Sequence, residues 1–186
     1  EFRRVLFRSR YLMFNLFKNK KQEGISITAP CSGRIIPISE VNDPIFSKKV
    51  LGEGFAVVPE GNKIYAPLTG RIEAVFPTKH AISIKSDADI EYLIHIGIDT
   101  VELEGKPFSI FVNAGEKVTT ETLLAEVDFD QIKQAGKDPS VIVVFTKPEQ
   151  VNEVILNSYT TIYGDSCGKI ILWRRVKYVI GLKLNE

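Results

Sequence analysis

APCSGRI at residues 29–35 returns as APLTGRI at residues 66–72, and this repeated phrase says most about how the chain folds. Each copy places Ala-Pro ahead of a variable residue, a Ser or Thr, a Gly and Arg-Ile. A proline has no N–H to give to a central ladder, and the glycine that follows marks a turn, so each copy reads as a turn that launches a strand. Around both copies lie short runs, ISITAP, GRIIPI, GFAVVP, NKIYAP, GRIEAVF, HAISIK and EYLIHIGI, punctuated by Gly, Pro, Asn and Asp. Strands of about four to seven residues at this spacing predict an all-β fold, an antiparallel sandwich or barrel-sandwich hybrid in which two similar units face each other. A further phrase, NAGEKVTTETLLAEVD at 113–128, reads as a hairpin turn before an apolar strand. Helix is expected only over Phe129 to Ala135, stopped by Gly136 and Pro139, and at Pro148 to Asn152 beside a turn.

The 186 residues are 44% hydrophobic and 25% charged, enough for one substantial core and most simply one domain with tails. A net charge of +1 with no aromatic-interleaved basic stripe gives no reason to expect nucleic acid. No window reaches the roughly 18 apolar residues of a membrane span, and no secretory signal is present, which predicts a cytosolic protein. Cys31 and Cys167 lack metal-ligand spacing and read as reduced thiols. Positive charge gathers at the ends. Residues 1–24 form a basic, partly apolar leader in which Met13 is a candidate start, with 1–12 lying upstream of it. Met13 to Lys21 reads either as a frayed tail or as a peripheral anchor on anionic lipid. The domain proper is expected over 25–165, with 166–186 a last strand and a basic tail. Ile170 to Ile180 is the expected strand, with Trp173 and Tyr178 partly buried; alternatively Arg174-Arg175-Val176-Lys177 starts a linker.

Both histidines of the chain, His80 and His95, fall in TKHAISIKSDADIEYLIHIGID at 78–99. If Ser86 to Asp89 is a turn of even length centred between Asp87 and Ala88, His80 stands directly opposite His95 on the adjacent strand, Cα atoms about 4.5 to 5.5 Å apart. The same register sets Ile82 opposite Leu93 on the histidine face and sends Tyr92, Ile94 and Ile96 into the core. Gly97, of the same parity as His95, leaves room for a partner to approach. Two convergent imidazoles suit three readings. One is a phosphoryl relay, in which a neutral imidazole attacks phosphorus while its neighbour donates an N–H to the equatorial oxygens. Another is a zinc hydrolase using Asp99 or Asp87 as third ligand, although no general base is evident. The last is a pair of satisfied histidines on a sheet face.

The stretch PTKHAISIKSD…EYLIHIGIDTVELEGKPF, with APCSGRIIPISEVNDPIFSKKVLGEGFAV and GNKIYAPLTGRIEAVFPTKHA before it, closely resembles the glucose-type IIA (EIIA-Glc) family of the bacterial phosphoenolpyruvate-dependent sugar phosphotransferase system. In that family one histidine sits in a TxHA phrase and the other in HxGxDTV. The resemblance runs from about Ile25 to Val154. It implies that His95 accepts a phosphoryl group from the phosphocarrier protein HPr and passes it to a cysteine of the sugar-specific IIB domain of a IIB/IIC permease, with no cofactor required. It further implies that His80 stabilises the phosphoryl group and that Thr78 orients His80. Asp43, Ile45, Phe46, Val50, Leu51, Phe76, Leu93 and Asp99 match the family's docking surface. Among these Phe46 is the best candidate for an exposed contact, whereas Val50, Leu51 and Phe76 read equally well as core. Two non-carrier roles accompany the resemblance: a regulatory binding module switched by histidine phosphorylation, and a zinc site that His80 and His95 complete with a partner's carboxylate.

Overall fold

Strand after strand begins or ends at the Gly, Pro and Asn/Asp punctuation. The computed structural model describes residues 24–173; the leader up to Glu23, with the Met13 to Lys21 stretch read as tail or anchor, and the tail from Arg174, Tyr178 included, lie outside the described residues. Within them the chain forms β1 (Ile25–Thr28), β2 (Gly33–Pro37), α1 (Pro44–Ser47), β3 (Gly54–Pro59), β4 (Lys63–Tyr65), β5 (Gly70–Val75), β6 (Ala81–Ser86), β7 (Glu91–Ile96), β8 (Phe108–Ile110), β9 (Lys117–Val118) and β10 (Leu123–Val127). There follow α2 (Phe129–Gln134), β11 (Val141–Phe145), β12 (Val151–Leu156), β13 (Thr160–Thr161) and β14 (Ser166–Leu172). All pairings are antiparallel, in an eight-stranded sheet ordered β13-β2-β3-β11-β7-β6-β5-β9 and two three-stranded sheets, β1-β14-β12 and β4-β10-β8. The large sheet ends on β13 and β9 and does not close. The expected antiparallel sandwich is what forms.

The repeated phrase is where the two halves grip each other. Thr28 N–H donates to Pro67 O at 3.1 Å and, at the equivalent place, Tyr65 N–H donates to Pro30 O at 2.7 Å. The prolines supply only their carbonyls, as their chemistry requires. Ala29 and Ala66 are fully buried in the same core. Gly33 and Gly70 then open β2 and β5, and a Cβ on either would run into the carbonyl oxygen of Val58 or of Lys85 on the facing strand. The β2–β3 and β5–β6 hairpins are therefore copies of one unit, differing in the connection: residues 38–53 in the first, 76–80 in the second.

One face of the large sheet supplies Tyr92, Ile94, Ile96, Val141, Val143 and Phe145 to the main core, with Ile27, Cys167 and Ile170 brought by the β1-β14-β12 sheet. The opposite face carries Ile142, Val144 and Ala56, roofed by Ile38, Val41 and Phe46 from the 38–53 connection. Central strand β11 is thus buried on both sides and its sequence, VIVVF, shows no polar alternation. Burial pushes the thiols of Cys31 and Cys167 up to about 12, and both are free cysteines.

Three expectations are corrected. Pro148 to Asn152 is a turn followed by the start of β12, because the stretch from Val151 alternates buried and open positions and pairs with β14. α1 and the 3₁₀ turns Ile38–Glu40 and Thr100–Leu103 were not anticipated. The last described strand begins at Ser166 rather than Ile170, lies between β1 and β12, and leaves Trp173 55% exposed with its indole N–H donated to Pro148 O at 2.9 Å. Among the described residues no helix is long and apolar enough to cross a membrane.

Candidate functional site

The β6–β7 hairpin sets the site. Ser86 N–H donates to Ile90 O at 2.8 Å and Asp89 takes a left-handed φ of 63°, so the loop is the odd-length Asp87-Ala88-Asp89. Three-residue hairpins closed by a left-handed residue are a standard solution. The register therefore shifts by one from the even-loop expectation: Ala81, not His80, stands opposite His95, and Ile82 faces Ile94 rather than Leu93. Ile82 belongs to the core, with Tyr92, Ile94 and Ile96 as anticipated. His95 and Leu93 face outward, beside Ile142 and Val144 of β11.

The imidazoles nonetheless meet. His80 lies one residue ahead of β6, and its ring centroid is 5.0 Å from that of His95 at an interplanar angle of 75°. Thr78 Oγ1 lies 2.6 Å from His80 Nδ1, which occupies that nitrogen and leaves Nε2 as the free one. On His95 the buried nitrogen is Nδ1, which has no hydrogen-bond partner. Its exposed chemistry is therefore at Nε2 as well. Phe46 stands edge-on to the His95 ring at 5.2 Å and 63°, and Phe76 edge-on to His80 at 5.6 Å and 72°.

Electrostatics keep both rings neutral near pH 7. Burial pushes the His95 pKa down to about 4, helped by the neighbouring His80 and opposed by the Gly97 backbone and the carboxylates of Asp43 and Asp99. The Gly97 carbonyl acts on the ring as a nearby dipole, since no hydrogen bond to Nδ1 forms. The His80 pKa is lowered by burial. A neutral imidazole offers a lone pair for attack, which its protonated form lacks.

The surrounding residues divide in two. Ile45, Val50, Leu51 and Phe76 are exposed, at 49%, 67%, 39% and 39%, so the three that read equally well as core are surface, and Leu93 is half-buried. Phe46, expected outermost, is buried under α1 at 6%. Its place follows from the cap: Asp43 Oδ1 accepts from the N–H of Ile45 at 2.7 Å and of Phe46 at 3.2 Å, with Pro44 at the first helical position. Asp99 is exposed beside the site. Gly97 does not open a path for a partner: at φ 76° its missing Cβ would meet the Thr100 side chain, with Asp138 O 3.0 Å away. Val101, 48% exposed on the Thr100–Leu103 turn, is a further open apolar side chain two residues after Asp99, missed because a lone valine carries no signal of its exposure. Among the described residues no group of three or more His, Cys, Asp or Glu is placed to hold a metal. The two imidazoles alone fall short of the three protein ligands of a catalytic zinc, so the hydrolase reading loses its third ligand.

Comparison with known proteins identifies relatives of the whole domain. The family model "phosphoenolpyruvate-dependent sugar phosphotransferase system, EIIA 1" matches residues 25–151. The chain is 42% identical over 140 residues to the PTS system glucose-specific EIICBA component of Streptococcus pneumoniae, covering 75% of this chain and only 19% of that much longer protein. It is 35% identical over 146 residues to the PTS system glucose-specific EIIA component of Staphylococcus aureus, covering 78% of this chain and 88% of the relative. Among solved structures, glucose permease IIA from Mycoplasma capricolum matches with a TM-score of 0.71 at 35% identity, over 78% of this chain and 95% of that one.

Proposed function

The chain belongs to the EIIA 1 family of the phosphoenolpyruvate-dependent sugar phosphotransferase system, and on that premise we propose that it is a phosphoryl carrier working through Nε2 of His95. The observation that carries this reading is the ring pair: two neutral imidazoles 5.0 Å apart, one with Nδ1 buried and the other with Nδ1 taken by Thr78. His95 attacks the phosphoryl group of a phosphohistidine on HPr. The new P–N bond forms at Nε2 as the donor's P–N bond breaks, and the donor nitrogen keeps the electron pair. In the second half-reaction a thiolate of the IIB domain attacks the same phosphorus and His95 leaves as neutral imidazole.

Phosphoryl transfer of this loose kind asks the protein to position the group and to neutralise charge on its equatorial oxygens. His80 supplies the donor. When the Thr78 hydroxyl donates to Nδ1, the His80 proton sits on Nε2, the nitrogen left free to donate to the group to be stabilised. The exposed apolar side chains Ile45, Val50, Leu51 and Phe76 can serve as a pad that seats HPr and the IIB domain in turn, while Asp43 and Asp99 orient basic partners. The reaction takes place on the cytoplasmic side, where the IIB/IIC permease receives the phosphoryl group. A zinc ion would need donors from a partner in addition to His80 and His95.

Incubation with phosphoenolpyruvate, enzyme I and HPr, followed by mapping of acid-labile phosphate, tests the reading. His95→Ala is expected to take no label; His80→Ala is expected to take label and to fail in delivery to IIB. Normal labelling of His95→Ala overturns the assignment.

A further inference from the structure

The alternation of β6 does not by itself bring His80 to His95. Ile82 points into the core and Ala81, paired with His95, points outward, so an extended residue 80 would point back to the core side. Its ring instead lies against His95. The carbonyl of His80 is still held in the ladder by Ile96 N–H at 2.8 Å, so the departure must come from the N-terminal side. There the chain passes through Lys79 at φ 59°, a left-handed conformation that residues with a Cβ seldom take. The turn is closed around it by Lys79 N–H to Phe76 O at 2.7 Å and Phe76 N–H to Ala81 O at 3.0 Å. Thr78, on the far side of the inversion, reaches His80 Nδ1 only because the chain doubles back. The Lys79 side chain is exposed, with its stem beside the bare Cα of Gly105.

We infer that Lys79 is a positioning residue whose left-handed backbone turns the His80 imidazole out of the strand's alternation and onto His95, and that its ammonium group is not required. The inference rests on the reading of His80 as phosphoryl stabiliser for its activity arm, but not for its structural one. Glycine takes this conformation freely and asparagine readily, whereas a β-branched residue resists it.

The test compares Lys79→Gly, Lys79→Asn and Lys79→Val in the full chain. Ring-to-ring nuclear Overhauser effects between His80 and His95, and the nitrogen shift of His80 Nδ1, report position. Labelling by phosphorylated HPr and delivery to IIB report activity. Lys79→Gly and Lys79→Asn are expected to keep the ring contact and to deliver within about threefold of the parent. Lys79→Val is expected to lose the contact and the Nδ1 signature, and to deliver about tenfold more slowly while still taking label on His95. Lys79→Thr, β-branched with a hydroxyl that can bond locally, repeats the comparison should Lys79→Val not fold. An intact ring contact in the β-branched variant overturns the inference, as does loss of delivery in Lys79→Gly with the rings still in place, which would move the role to the ammonium. Should the parent itself take no label, the carrier reading fails while the nuclear Overhauser pattern still decides the backbone claim.

Discussion

Acidification from about pH 7 to about pH 4.5 should cost the parent protein markedly more stability than it costs a His95→Gln variant. Burial holds the folded His95 pKa down at about 4, whereas an unfolded imidazole titrates near 6.5. Between those values the unfolded chain binds a proton that the folded chain refuses. Stability from this group is therefore fully present above the unfolded pKa and is lost as pH falls towards the folded one. At about 1.4 kcal/mol per pKa unit, the whole window is worth about 3 kcal/mol, and most of it is gone by pH 4.5. Urea unfolding of both proteins at the two pH values, followed by circular dichroism, gives the difference of differences. Carboxylates that titrate in the same range are common to both proteins and cancel. The expected result is about 2 to 3 kcal/mol. A value below about 0.5 kcal/mol, within the additivity error of such comparisons, would mean that His95 is as hydrated folded as unfolded and is not a desolvated, neutral nucleophile.

Gly97→Ala should lower urea stability by about 1–3 kcal/mol, because the φ of 76° and the Thr100 side chain both oppose a Cβ there; a change within 0.5 kcal/mol of zero, about the size of an unremarkable surface substitution, would show that the 97–100 turn can yield. Asp43→Ala should cost about 1 kcal/mol by removing the cap of α1, with Asp43→Asn nearly neutral. Losing that carboxylate should also move the His95 pKa further down, measurable by NMR titration; an upward move would contradict the role of Asp43 as a favourable charge.

The repeat, the strand runs and the inward parity of Tyr92, Ile94 and Ile96 are legible in the amino-acid sequence because each follows from local chemistry: a proline without a donor, a period of two, an apolar face. The meeting of the histidines was anticipated through the wrong register. Loop parity depends on whether one residue of Ser86 to Asp89 adopts the left-handed region, and Asp89 does so while Asp87 does not. Composition treats the two alike. Exposure around the site, undecided for Val50, Leu51 and Phe76 and wrong for Phe46, escaped the sequence for a different reason. Phe46 against Val50, Leu51 and Phe76 differ little in polarity, and what separates them is that the Asp43-capped turn folds Phe46 down onto β11 and the His95 ring. That is a tertiary event with no period to read. Gly97 shows the same limit, since a glycine that admits a partner and one that admits Thr100 look identical in sequence.

The two hairpins that hold each other through Pro30 and Pro67 are aligned at their ends, Gly33 with Pro59 and Gly70 with Ser86. Gly54 opens β3 and faces Val144; Ala81 opens β6 and faces His95. Val144 is therefore the counterpart of His95 across the approximate dyad, fully buried beneath the 38–53 connection. A homodimer of half-length chains would present both positions identically. In one continuous chain the two positions need not match: Val144 is packed into the floor of a long connection, while His95 is only partly covered. On the carrier reading proposed above, the phosphoryl group is handled beside the short 76–80 connection, while the long 38–53 connection seals the matching position at Val144.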